Sequence, residues 1–133
     1  MIRTFRASVL LAFVAAVSLA LAVPALAQDP VKVAPDKCKV LLENDNVRVY
    51  EFTLKAGEKM PMHSHPRHSI YALSTCSVKI GTPDGKSEQL EFKSGEAYYS
   101  PPVTHEGTNT GTDVCRLIIT EIKSHKAAAQ PAK

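Results

Sequence analysis

The feature that most constrains this chain is its punctuation. From residue 38 onward, short runs of alternating apolar residues are cut by turn sequences: Glu43-Asn44-Asp45-Asn46, Lys55-Ala56-Gly57-Glu58, Thr82-Pro83-Asp84-Gly85-Lys86, Lys93-Ser94-Gly95-Glu96 and Asn109-Thr110-Gly111-Thr112-Asp113. Alternation turns one face of an extended strand inward, and pairs such as Asp84-Gly85 supply the backbone angles that tight hairpins require. Beyond residue 27 no stretch carries a helical apolar period. About eight or nine short antiparallel strands, with turns at roughly ten-residue spacing, predict an all-β sandwich or barrel. The β-branched run from Val114 to Ile122 is expected to be a central strand.

The first 27 residues read as an export address. Met1 to Arg6 is basic, Ala7 to Val23 is apolar and alanine-rich, and Ala25-Leu26-Ala27 forms an A-x-A cleavage site. The apolar run is shorter than the roughly 20 residues of a membrane span. Arg3 and Arg6 are not adjacent, so Sec-type export of the unfolded chain is expected, with cleavage after Ala27 and a periplasmic or secreted product. Removing residues 1–27 leaves 106 residues, enough for one domain with one core. It also takes away two arginines and no acid, lowering the formal charge from +3 to +1. That balance leaves no basic footprint for nucleic acid, and no further apolar span predicts membrane association after cleavage. Residues 28–37, with Pro30 and Pro35, are read as an extended leader without a core face, 38–123 as the single domain, and 124–133 as a disordered tail.

Within the domain the chemistry concentrates in two histidine segments. The first is Gly57-Glu58-Lys59-Met60-Pro61-Met62-His63-Ser64-His65-Pro66-Arg67-His68, and the second runs from Gly95 through Pro101 and His105 to Asn109. On an extended strand His63 and His65 share a face, as metal ligands must, and antiparallel pairing can bring His105 to them from about forty residues downstream. Only His125, in the tail, stands apart. Cys38, Cys76 and Cys115 allow one disulfide and one free thiol in an oxidising compartment, with the pairing open; buried unpaired Cys76 or Cys115 is the alternative. Met60 and Met62 alternate away from His63 and His65, which predicts packing rather than copper ligation. Tyr71 and Tyr99 are expected in the core, Glu106 to point away from His105, and Asn109 to bond at a strand end.

These two segments resemble the paired motifs of the cupin family. The first motif is a glycine, five residues, H-x-H, three or four residues, a glutamate, six residues and a glycine; Gly57, His63 and His65 match it. The second is a glycine, five residues, P-x-G, two residues, a histidine, three residues and an asparagine; Gly95, Pro101, His105 and Asn109 match. The resemblance covers residues 38–123 and implies a single-domain jelly-roll barrel. It departs in one place of consequence: Ser69 and Ile70 stand where the glutamate belongs. Counting back from Tyr71-Ala72-Leu73 puts His68 in that place, with a bend near Pro66 to turn it inward. Thr75 and Val103 replace motif glycines.

What the resemblance implies is a divalent metal on His63, His65 and His105, with His68 as a substitute fourth ligand. Imidazole-only sites suit zinc, copper or nickel, whereas carboxylate oxygens favour manganese, so the first three are favoured. The implied function is a small metal-dependent enzyme, oxygenase-like or isomerase-like, acting on a small-molecule ligand. A non-catalytic barrel that binds a small ligand or a metal is the alternative, because the missing glutamate removes the obvious general base. A homodimer formed through an outer sheet edge is the expected assembly.

Overall fold

The computed structural model describes residues 28–124; residues 1–27, read above as an export address, and the tail beyond Ser124 lie outside the described residues. A single helical turn, α1 (Pro30–Val33), precedes nine strands: β1 (Cys38–Glu43), β2 (Val47–Leu54), β3 (Lys59–His65), β4 (His68–Ala72), β5 (Cys76–Gly81), β6 (Ser87–Phe92), β7 (Ala97–Ser100), β8 (Val103–Asn109) and β9 (Cys115–Ile122). All pairings are antiparallel, in a five-stranded sheet of order β1-β2-β9-β4-β7 and a four-stranded sheet of order β3-β8-β5-β6. The two sheets face each other as a jelly roll.

The turns form where the punctuation places them. Gly57 and Gly95 take φ of 75° and 84°, backbone that a β-carbon would strain. Asn44 holds its turn through Oδ1, which accepts from the N–H of Asn46 at 2.8 Å and of Val47 at 3.0 Å. β9 is central, as its β-branched run predicts, and pairs with β2 over eight residues from Val47↔Ile122 to Leu54↔Cys115. Register fixes polarity along these two strands. The inward residues of β2 run Arg48, Tyr50, Phe52, Leu54, and those opposite on β9 run Glu121, Ile119, Leu117, Cys115. One end of the barrel is therefore charged and the other apolar.

The apolar end is stapled. Cys76 at the head of β5 and Cys115 at the head of β9 are disulfide-bonded, with Cα atoms 5.2 Å apart, and so join the two sheets. This resolves the open pairing and corrects the expectation of unpaired Cys76 or Cys115. Cys38 is the free thiol, buried, and burial raises its pKa to about 12, so it stays protonated.

Three further expectations are corrected. The leader is not simply extended: residues 30–33 make a helical turn capped by Asp29, and Pro30 is fully buried. Long-range bonds, invisible in a local reading, hold it. Tyr71 and Tyr99 are 46% and 67% exposed on the outer face, and Tyr50 and Tyr98 fill the inward places instead. Finally, a register shift between Met60 and His63 in β3 resets the alternation, so Met60 is buried on the same side as His63.

Candidate metal centre

β3 and β8 run side by side with His63 directly opposite His105. The irregularity before His63 also accommodates Pro61, which has no N–H to give the ladder. Its carbonyl accepts a hydrogen bond from His63 Nδ1–H at 2.7 Å. Two residues on, His65 directs Nδ1 at Glu121 Oε1, 2.8 Å away. A bare nitrogen would face carboxylate lone pairs there, so Nδ1 carries the proton. The remaining nitrogens converge: His63 Nε2 lies 2.8 Å from His65 Nε2 and 3.2 Å from His105 Nε2. Two ligands on one ion, with bonds of ~2.1 Å, lie roughly 3.0–3.4 Å apart for right-angle to tetrahedral geometry. The His63–His105 pair falls in that range and the His63–His65 pair just below it, and the ligating nitrogens of all three lie within 4.8 Å of one another.

These contacts define what the centre can hold. With Nδ1–H of both His63 and His65 committed elsewhere, their Nε2 atoms meet as lone pairs unless a cation stands between them. A metal ion or a proton answers that need. Burial, opposed by the Pro61 carbonyl and reinforced by the neighbouring His65, lowers the His63 pKa to about 4. His105, lowered by burial and then by His63 and His65, falls to about 3. Near neutral pH both rings are thus neutral and their lone pairs are free for a metal.

His68 reaches the interior through the bend expected near Pro66, which falls at Arg67 and also carries the chain into the other sheet. β3 stops at His65, the chain crosses through Pro66 and Arg67, and β4 begins at His68 in the other sheet. It is 1% exposed, donates Nδ1–H to the Pro66 carbonyl at 2.8 Å, and packs its ring 4.4 Å from that of His65. Burial lowers its pKa as well. Its nitrogens are not part of the converged group of His63, His65 and His105, which corrects the expectation of a fourth ligand, and its ring lines the same cavity beside His65. Glu106 points away, as expected, to pair with Lys59 at 2.8 Å. Asn109, wholly buried, donates Nδ2–H to the carbonyls of Leu54 and Asp113 and accepts from Gly111 N–H, the strand-end role predicted for it.

The sequence reading missed the charged group behind the histidines. Glu121 is 2% exposed; its Oε2 accepts from Arg48 Nε at 2.9 Å and Nη2 at 2.6 Å, and Arg48 Nη1 reaches Asp29 Oδ2 at 2.7 Å. Burial opposes ionisation of Glu121, but the bonds from His65 and Arg48 outweigh it and hold the carboxyl below its ordinary pKa. Tyr50 donates to Glu121 Oε1 at 3.3 Å, and its pKa is raised, by burial first and then by the Glu121 charge. The available signal was parity: Glu121 continues the inward series Leu117, Ile119, where a carboxylate must be paired.

The histidines open onto a cavity of about 60 Å³, walled by Phe52, Leu54, Met60, Leu117 and Ile119 and flanked by Pro30 of the leader. At roughly 10–15 Å³ per water, it takes about four to six waters, or one very small molecule.

Two facing antiparallel sheets make a double-stranded β-helix, and its inward histidines on adjacent strands form a cluster compatible with metal binding. Solved structures give this class its name. The chain is similar to a cupin domain from Bordetella pertussis, at 25% identity over 65% of this chain and 92% of that one, with a TM-score of 0.61. It is also similar to an RmlC-like cupin family protein with a double-stranded β-helix fold from Methanocaldococcus jannaschii, at 17% identity over 65% and 78%, TM-score 0.53. A cupin superfamily protein from Desulfitobacterium hafniense matches at 11% identity over 65% and 76%, TM-score 0.51. No family model matches the chain, and no curated protein matches it. The chain has the cupin family fold.

Proposed function

We propose that this protein is an exported cupin whose barrel holds one divalent metal ion on His63, His65 and His105 and offers that ion to a small molecule in the cavity. The observation that carries the reading is the 2.8 Å approach of two imidazole nitrogens whose other nitrogens are already committed as donors. Export rests on the basic, apolar and A-x-A pattern of residues 1–27, and the Cys76–Cys115 bridge suits an oxidising compartment.

The donor set favours zinc, copper or nickel. The nearest carboxylate, Glu121, is occupied by His65 and Arg48, so the ligands stay imidazole. Met60 brings a soft thioether into the same cavity, which adds weight to copper. A bound ion would supply Lewis acidity or redox capacity, while the chain supplies a narrow, largely apolar-walled chamber. Among the described residues lining that chamber no carboxylate is free to take a proton, and Tyr50 is held protonated. Oxygenase-like chemistry therefore fits better than isomerase-like proton abstraction. The same absence of a base favours, as the second reading, a barrel that binds its metal or a small ligand without turnover.

Titration of the metal-free protein with Zn²⁺, Cu²⁺, Ni²⁺ and Mn²⁺ tests the reading, with oxygen uptake followed in each loaded form. One site per chain, with manganese weakest, is the expected result. A flat titration for all four ions contradicts it.

A further inference from the structure

We propose that Glu121 is a positioning residue of the metal centre and that Asp29, on the N-terminal segment, tunes the centre through it from outside the ligand sphere. The inference rests on the metal reading above. A carboxylate that accepts the Nδ1 proton of a ligating histidine fixes its tautomer, orients the ring and makes Nε2 a better donor. Glu121 Oε1 does this for His65 at 2.8 Å. It has no freedom to turn elsewhere, because Oε2 is gripped by Nε and Nη2 of Arg48 and the side chain is 3% exposed.

The grip extends one step further. Arg48 Nη1 donates to Asp29 Oδ2 at 2.7 Å, and Asp29 is itself fixed, its Oδ1 accepting from Val31 N–H at 2.9 Å. The residue before it is bonded to the ligand strand: Gln28 carbonyl accepts from the N–H of Ser64, which lies between His63 and His65. Asp29, Arg48, Glu121 and His65 thus form an alternating chain of charge that ends on a ligand. Without Asp29, Arg48 draws more of the Glu121 charge to itself and leaves less for His65. Without the Glu121 charge, His65 Nδ1–H is left with neutral acceptors, and Nε2 becomes a weaker donor to the ion.

The test measures Zn²⁺ affinity by chelator competition for the wild type, Glu121→Gln and Asp29→Asn. We expect binding about 10–100-fold weaker for Glu121→Gln and about fivefold weaker for the partly exposed Asp29 pair, with one site retained in each. Imidazole ¹⁵N shifts of the metal-free wild type supply a readout that a purely structural role does not move and that needs no variant: His65 should carry its proton on Nδ1. Wild-type affinity retained in Glu121→Gln, or an Nε2–H tautomer at His65, overturns the inference while leaving the metal reading intact. No Zn²⁺ binding by the wild type brings down that reading and this inference together.

Discussion

Removing the Cys76–Cys115 bridge should separate the stability of the barrel from its chemistry. The bridge spans 39 residues of sequence, and the loop-entropy relation for a closed loop of that size gives about 4 kcal/mol at 25 °C. For a domain of this size that loss corresponds to a melting point lower by roughly 15 °C or more. The perturbation is the double variant Cys76→Ala/Cys115→Ala, followed by urea unfolding monitored by circular dichroism, since the chain has no tryptophan. The metal centre should not notice. From Cys115 to Glu121, β9 rises ~20 Å at ~3.3 Å per residue, and the walls between are apolar. Zn²⁺ affinity is therefore expected within threefold of wild type in the folded variant. A stability loss under about 1 kcal/mol, or an affinity that falls along with stability, refutes the reasoning.

Three other predictions follow from particular contacts. The metal-free protein should lose stability as pH falls from 6.5 toward 4, because His63 and His105, with pKa values lowered to about 4 and about 3, refuse protons that the unfolded chain accepts near 6.5; urea midpoints at pH 7 and pH 4.5 check this, and an equal or higher midpoint at pH 4.5 contradicts it. Asn109→Ala leaves the buried carbonyls of Leu54 and Asp113 without their donor and should cost about 1–3 kcal/mol, read from the same unfolding curves; a neutral result tells against that bonding. Met60→Leu nearly conserves volume and should cost under about 1.5 kcal/mol; a selective loss of Cu(I) affinity with Zn²⁺ unchanged would place the thioether at the metal, and equal affinity for both ions would leave Met60 as packing.

Much of the fold was legible because strand and turn are local properties. The Asn44, Gly57, Asp84-Gly85 and Gly95 turns stand where the composition changes, and the β-branched run of β9 announces a central strand. The histidine trio was legible for the same reason: His63 and His65 share parity, and an antiparallel barrel returns His105 to them. What stayed hidden depends on pairing across distance. The shift that brings Met60 inside beside His63 is set by β8, not by β3 alone. The leader is pinned by Asp29 to Arg48 and by Gln28 to Ser64, contacts that no local periodicity encodes. Cys76 and Cys115 meet only because the strands they begin face each other from different sheets. The inward turn of His68 near Pro66 was legible but its change of sheet was not, and Glu121 looked like one charge in an apolar run until its register with Arg48 was known.

The central claim is most directly tested by the metal content of the wild-type protein as purified, determined by mass spectrometry beside a His63→Ala/His105→Ala double variant. The account predicts close to one divalent ion per chain in the wild type and almost none in the folded variant. A wild type that carries no metal and gains none on titration, or a variant that keeps its metal, contradicts it.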